Sequence, residues 1–306
     1  MEIIKYQGRQ LYKWRVGAST FLAYPKIGAR LLNWNLQLAD GSTRDVIYWP
    51  PEADLANLPC IHGGNPILFP FAGRTYDKGE KGFWRAEDGI RRPMPQHGFA
   101  RESSFTLTEV TPHGFIAILR PTASTRELYP YEYEFSVVYR FNELFFAVEF
   151  QLANRDQVPI PWSAGHHFYF ALPWHAELQR KDYQIHIPAR KVFHHAPDGR
   201  LVSVKKFLNT NTFDNPSLQD RLHTKLKSPD IVMSPRNGEE VLMLRIGSEK
   251  APPAATAVVT WTETDESPFY CVEPWMSLPN SPEHEHGLHR VHPGQTDVFS
   301  IEVRLV

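Results

Sequence analysis

Tyr131-Glu132-Tyr133-Glu134-Phe135-Ser136-Val137-Val138-Tyr139-Arg140-Phe141 is followed, across Asn142-Glu143, by Leu144-Phe145-Phe146-Ala147-Val148-Glu149-Phe150-Gln151-Leu152. In the first run Tyr131, Tyr133, Phe135, Val137, Tyr139 and Phe141 hold the odd positions, with Glu132, Glu134, Ser136 and Arg140 between them. In the second run Leu144, Phe146, Val148, Phe150 and Leu152 hold the even positions. A period of two is that of a strand whose successive side chains point to opposite faces. The change of phase across a short polar junction predicts a long antiparallel hairpin with one buried face.

The same alternation recurs outward from this hairpin. Phe105 to Val110 and Phe115 to Leu119 flank Thr111-Pro112-His113-Gly114 and read as a second hairpin; Leu32, Trp34, Leu36 and Leu38 run up to a turn at Asp40-Gly41. Phe299, Ile301, Val303 and Leu305 form a final strand. Proline (26) outnumbers glycine (18) and aromatics reach 13%, which suits turns joining aromatic-rich strands and suits long helices badly. The expectation is an all-β protein built as one large antiparallel sandwich. Length alone, at 306 residues, suggests two domains, but no Ser/Gly tract, charge block or repeat divides the chain. Residues 1–306 are therefore read as a single domain.

Charge narrows the function classes. With 33 Lys plus Arg against 34 Asp plus Glu, the chain lacks the clustered positive charge that nucleic-acid binding draws on. No apolar run approaches the roughly 20 residues that span a bilayer, and no secretory signal is visible at Met1-Glu2-Ile3-Ile4-Lys5-Tyr6. Two cysteines, Cys60 and Cys271, make no disulfide framework. A cytoplasmic protein, monomeric or homodimeric, without nucleic-acid or membrane partners is expected.

Candidate chemistry gathers in four segments. Gly63-Gly64-Asn65-Pro66-Ile67-Leu68-Phe69-Pro70-Phe71-Ala72-Gly73-Arg74 fixes its backbone with glycines and prolines and ends in a guanidinium fork. Met94-Pro95-Gln96-His97-Gly98-Phe99-Ala100-Arg101 holds a histidine between Gln and Gly. In Gly165-His166-His167-Phe168-Tyr169-Phe170, alternation sends His167 and Tyr169 to one face and His166, Phe168 and Phe170 to the other; one histidine serves the pocket and the other the core, and composition does not say which. Tyr270-Cys271-Val272-Glu273-Pro274-Trp275 sets a carboxylate among apolar neighbours, where it is either paired or functional. The histidines of His284-Glu285-His286-Gly287-Leu288-His289-Arg290-Val291-His292 resemble a metal cluster, but their charged surroundings fit a solvated loop, and no metal is expected.

These blocks, in this order over residues 63 to 280, resemble the aldose 1-epimerase (galactose mutarotase-like) family, and most nearly its hexose-6-phosphate 1-epimerase-like branch. The resemblance implies a large β super-sandwich with an open pocket in which a glutamate and a histidine interconvert the anomers of a sugar. Carried over by motif, Glu273 matches the general base at the C1 hydroxyl. His167, two before Tyr169, matches the general acid at the ring oxygen, and His97 the second pocket histidine, with a share in the acid role. Arg74 matches the arginine that grips sugar hydroxyls. Asp214 in Phe213-Asp214-Asn215-Pro216 is a rough match for a sugar-binding aspartate, and Ala171 departs from the asparagine that often follows this Tyr-Phe pair. Trp275, or an aromatic near Phe69, is a candidate apolar platform for the sugar.

The chemistry suits these residue types. Opening a hemiacetal removes a proton from one oxygen while another receives one, which an ionised carboxylate and a protonated imidazole perform together. Ordinary values of about 4.3 and about 6.5 leave the base ready and the acid partly charged at neutral pH. No metal, nucleotide or redox cofactor is required. The implied partner is a small-molecule sugar, and Arg101, Arg85, Arg91, Arg92 and Lys81 are cations that a substrate phosphate would seek. Two rival classes are a non-catalytic carbohydrate-binding or sensing protein on the same fold, and a polysaccharide lyase or hydrolase, for whose accessory helical domain a chain of this length leaves no room.

Overall fold

The decisive hairpin forms as its alternation predicts. Tyr133–Phe141 pairs antiparallel with Phe145–Asn154, with Phe141 opposite Phe146 and Tyr139 opposite Val148. Tyr131, Tyr133, Phe135, Val137, Tyr139 and Phe141 are all buried, as are Phe146, Val148, Phe150 and Leu152. Leu144 departs from the pattern and is 46% exposed. It belongs to the turn, where the Asn142 N–H donates to the Phe145 carbonyl at 2.8 Å.

The structure, a computed structural model, describes residues 1–196, 198–238 and 240–306. Among the described residues two large antiparallel sheets, of nine and thirteen strands, make up the body. The nine-stranded sheet grows outward from the hairpin. Thr106–Thr111 and Gly114–Leu119 lie on one side; Thr296–Leu305, Leu242–Ile246, Asp230–Pro235, Tyr183–His186 and Thr210–Thr212 lie on the other. The thirteen-stranded sheet carries the N-terminal strands as far as Thr43–Ile47, then Phe168–Ala171, Phe269–Trp275, Ala257–Trp261, Arg221–Thr224, Lys191–His195 and Leu201–Ser203. Helix is confined to short turns such as Ala123–Leu128 and Ser281–His284. No helix among the described residues is long and apolar enough to cross a membrane.

Aromatic side chains fill the space between the two sheets. Phe21 stacks on Phe141 with ring centroids 4.4 Å apart, and Phe69 stacks on Phe135 at 4.0 Å. Such pairs contribute about 0.5–1.5 kcal/mol beyond their burial. Phe69 is thus a core residue with no face open to a sugar. His166 joins the same layer, stacked on Phe150 at 4.1 Å and on Phe168 at 5.0 Å. Because side chains alternate along a strand, placing His166, Phe168, Tyr270 and Val272 on the core side turns His167, Tyr169, Cys271, Glu273 and Trp275 to the opposite face of the thirteen-stranded sheet. That face carries the candidate chemistry.

Two core histidines are held neutral by their surroundings. Burial pushes His166 well below its ordinary value. Burial, reinforced by Arg221, lowers His223 to about 4. In the unfolded chain His223 titrates near its ordinary 6.5. Between these two values the unfolded state binds a proton that the fold does not, so stability is full above about pH 6.5 and falls as pH drops toward 4. At 1.36 kcal/mol per unit, His223 alone accounts for a loss on the order of 3 kcal/mol. Urea unfolding of wild type and His223→Gln at pH 7 and pH 4 should show a smaller difference between the two pH values in the variant. An equal difference in both proteins would place the acid sensitivity elsewhere.

Candidate active site

One register brings the two catalytic candidates together. Gly165 lies opposite Trp275, Phe168 opposite Val272 and Tyr169 opposite Cys271. In this register His167 falls opposite Glu273, and its Nε2 stands 3.4 Å from Glu273 Oε1. The strand Ala257–Trp261 closes the other side of the carboxylate by setting Val259 beside it. The Glu273 side chain is 2% exposed and that of His167 13%. Among the described residues His167 Nδ1 and Glu273 Oε2 have no hydrogen-bond partner, so each group keeps one polar atom available.

His97 reaches this pair through a tightly constrained loop. Its own backbone is left-handed, with φ 70°, a conformation sparsely populated by side-chain-bearing residues and concentrated at functional sites. Gly98 follows with φ 71°, where a Cβ would meet the Phe69 carbonyl oxygen at 1.9 Å; only glycine lets the loop cross there. The His97 N–H donates to the Gly73 carbonyl at 2.7 Å, and the Gly73 N–H donates back to His97 Nδ1 at 3.1 Å. Accepting at Nδ1 favours the tautomer with the proton on Nε2, an atom that has the Gln96 Nε2 amide 3.1 Å away. The His97 and His167 rings meet edge to face, with centroids 5.6 Å apart.

Burial inverts the ionisation order expected from unperturbed side chains. It pushes Glu273 well up, with the Trp275 indole pulling the other way and Asp220 adding to the rise. It pushes His167 well down, helped by the neighbouring His97 ring and the Arg30 guanidinium. His97 falls to about 3, through burial and then the Arg101 and Arg74 guanidiniums. His97 is therefore a neutral donor rather than a cationic acid at neutral pH. The Glu273–His167 pair holds one proton, and burial favours its neutral form, carboxylic acid beside imidazole.

The remaining sequence candidates are sorted by the fold. Arg74 is half-buried at the rim, with Nε donating to Gln96 Oε1 at 3.2 Å, and its charge acts on His97, His195 and Asp220. Trp275 stands beside His97, with centroids 5.7 Å apart, but it is a buried packing residue. Its ring is wedged where Cβ atoms on Gly73 and Gly165 would come within 3.0 and 2.6 Å. Asp214 is not brought to this face; it is exposed beside the edge strand Thr210–Thr212 of the other sheet, next to Phe213, which packs on core-facing Tyr270 at 5.0 Å. Arg85, Arg91 and Arg92 are engaged with Asp77, Glu80 and Asp88, whereas the Arg101 charge reaches His97. Among the described residues, the ligand-type side chains that gather are His167, Cys271 and Glu273, with one donor atom of each within 4.8 Å of the others. These three are the residues that would meet a metal ion. The C-terminal histidines are dispersed, His284 on the Pro279 carbonyl and His289 on Asp297.

Four residues of the site were not singled out from the sequence. Asp220, accessible and close enough to act on Glu273, feels the Arg74 charge. Trp261 stands edge-on to His167 at 6.0 Å. Cys271 shares the face of Glu273 two residues on, a period-two signal the sequence does contain. Asn65, fully buried, accepts the His167 backbone N–H at 3.2 Å and donates to Tyr139 Oη at 2.7 Å and to His166 Nδ1 at 3.0 Å. It thereby fixes the histidine strand between core and site.

Comparison with known proteins agrees with this architecture. The chain is similar to the LacX protein of Lactococcus lactis subsp. lactis, 26% identical over 241 residues that cover 72% of this chain and 76% of the relative. A galactose mutarotase-like protein from Clostridium acetobutylicum shares the fold with a TM-score of 0.80 at 16% identity, over 100% of this chain and 98% of that one. A galactose mutarotase related enzyme from Lactobacillus acidophilus does so with a TM-score of 0.78 at 18% identity, over 97% of each chain. The family model described as aldose 1-epimerase matches residues 10–296, a span that takes in each of the four motif segments, and the chain belongs to that family.

Proposed function

We propose that this chain, acting as one domain across residues 1–306, interconverts the α and β anomers of a hexose or hexose phosphate. The observation that carries this reading is the 3.4 Å contact between His167 Nε2 and Glu273 Oε1. The hydroxyl oxygen and the ring oxygen of a hemiacetal are both bonded to C1, so two groups this close serve both oxygens at once. In the ionised form of the pair, Glu273 removes the proton from the C1 hydroxyl. The C1–O electron pair leaves to the ring oxygen, and His167 protonates that oxygen. The products are an open-chain aldehyde, a carboxylic acid and a neutral imidazole. Rotation about C1–C2 presents the other aldehyde face. Glu273 then returns its proton to the carbonyl oxygen as His167 takes the proton of the attacking hydroxyl, which restores the starting pair. The hydroxyls of a bound sugar supply the polar partners that the buried pair lacks.

The other groups bind and orient. His97 donates from Nε2 to a sugar oxygen without changing charge, and Arg74 and Asp220 grip hydroxyls at the rim. For a hexose phosphate, Arg74 and Arg101 are the cations nearest His97. A purely sugar-binding protein has no need to press a carboxyl against an imidazole, so acid–base catalysis accounts for the geometry better than binding alone.

Glu273→Gln keeps the shape of the carboxyl and removes its basic site. His167→Asn removes the imidazole. Each should lower the anomerisation rate by about 10² to 10⁴ while sugar binding survives, and the double variant should lose little more, because a broken relay is already disabled. NMR exchange on glucose, galactose and glucose 6-phosphate measures this. Wild-type turnover by Glu273→Gln would assign the glutamate a structural role. Arg74→Ala should raise KM and lower kcat with stability within about 1 kcal/mol of wild type; an unfolded variant would make its contact with Gln96 structural.

The inverted ionisation order sets the pH profile. The pair works with one proton, so kcat/KM falls in acid when a second proton binds, well below the ordinary histidine value, and in alkali when the pair loses its only proton, well above the ordinary carboxyl value. Polarimetry from about pH 4 to about pH 10 should give a broad plateau through neutrality. An alkaline fall centred near 6.5 would mean that His167 keeps its ordinary value and acts as a free cation.

A further inference from the structure

Three kinds of metal-ligating atom meet at one point of the thirteen-stranded sheet. Cys271 and Glu273 are two residues apart on the strand Phe269–Trp275 and so share a face. His167 reaches the same point from between Gly165–His166 and Phe168–Ala171. One ligand atom of each lies within 4.8 Å of the other two. His167 Nε2 and Glu273 Oε1 are 3.4 Å apart. That matches the spacing, roughly 3.3–3.4 Å, of two donors each about 2.0–2.1 Å from a tetrahedral zinc ion. An edge from thiolate sulfur to either atom is roughly 3.6 Å in such a site, so the Cys271 thiol completes the triangle with a movement of about 1 Å. The mechanism leaves this thiol unused.

We propose that His167, Cys271 and Glu273 form an inhibitory zinc site, through which zinc switches the enzyme off reversibly. The binding of zinc follows from the three ligands alone; its inhibitory effect rests on the acid–base reading of His167 and Glu273. Ligand type selects the ion. A thiolate with an imidazole and a carboxylate suits zinc, whereas magnesium and calcium take oxygen donors. Charge agrees, because a thiolate and a carboxylate together cancel the two charges of Zn²⁺. The buried complex is then neutral, and a buried charge is tolerated where it is paired or coordinated. The number of ligands sets the role. Three protein donors leave a fourth position open. A ligating histidine ordinarily has its other ring nitrogen held by a carboxylate or carbonyl, and His167 Nδ1 has no such partner among the described residues. The ion is therefore held as an exchangeable ligand rather than as a resident cofactor. It takes the lone pairs of His167 Nε2 and Glu273 Oε1, the atoms that exchange protons with the sugar, so the loaded enzyme does not open a hemiacetal.

Cobalt(II) serves as a visible stand-in for zinc. The full chain carrying Cys60→Ser, which removes the exposed second cysteine, is titrated with cobalt. It should develop a near-ultraviolet thiolate-to-cobalt band and the intense visible bands of four-coordinate cobalt, and zinc should bleach both. Cys271→Ser should lose the thiolate band and bind zinc at least about 100-fold more weakly, beyond the 10- to 100-fold that losing an outer partner costs. In NMR exchange on glucose, zinc at about ten times its dissociation constant should lower the anomerisation rate about tenfold. A chelator should restore that rate, and the same concentration of magnesium should leave it unchanged. With each protein referred to its own metal-free rate, Cys271→Ser should resist the zinc that inhibits its parent. Cobalt bound without a thiolate band, or equal zinc inhibition of parent and Cys271→Ser, would overturn the site; Cys271→Ala makes the same comparison if the serine variant does not fold. The optical titration needs no turnover, which separates this proposal from the reading it rests on. A thiolate band in a protein that anomerises no sugar supports the zinc site and sinks the acid–base reading. Normal anomerisation with no cobalt bound does the reverse, and full activity with the thiolate band saturated overturns the inhibition.

Discussion

The register between Phe168–Ala171 and Phe269–Trp275 is the constraint on which the site depends. It sets His167 opposite Glu273, and because side chains alternate, it also sends His166 into the aromatic layer between the sheets. A slip by one residue would exchange the two histidines, burying His167 and turning His166 to the site face. Several features hold the register in place. His166 is stacked among Phe150, Phe168 and Phe299, and Asn65 ties the His167 N–H to Tyr139 and His166. The core therefore specifies the chemistry on the opposite face.

Burial then decides which proton-transfer states are available. A carboxyl and an imidazole pressed together away from water lose more by ionising than either does in solution, so Glu273 rises and His167 falls. His97 follows the same logic beside two guanidiniums. Unsatisfied atoms at His167 Nδ1, Glu273 Oε2 and Trp275 Nε1 mark where the fold leaves polar groups without partners. Such atoms cost stability unless something meets them.

Polarity is also divided across the face. Arg74 and Arg101 border His97, whereas Glu52, Asp54 and Glu263 line a cleft beyond Tyr169. The arginine of the buried strand Arg30–Gln37 lies behind this division. Arg30 donates to the Leu58, Ile61 and Gly63 carbonyls, has no carboxylate partner among the described residues, and is lowered by burial to about 10. It remains charged at neutral pH while fastening the segment that leads to His62 and Asn65.

The sequence by itself determined the strands and their buried faces. Alternation with a period of two is a local property, and Tyr131 to Leu152 displays it without reference to any partner. It also determined that His167 and Tyr169 share a face, and its motifs named His97, Arg74 and Glu273. Only the tertiary structure decided which residues meet. Asp220 acts on Glu273 and Asp214 does not, because Asp214 follows the strand Thr210–Thr212 of the nine-stranded sheet and Asp220 precedes the strand Arg221–Thr224 of the thirteen-stranded one. Trp275 is wedged between Gly73 and Gly165 rather than offered to a sugar, since three separate segments converge on its ring. The ionisation order of the catalytic pair is likewise unreadable from residue types, because it is set by the exclusion of water, and that exclusion exists only once both sheets and the loops across them have closed.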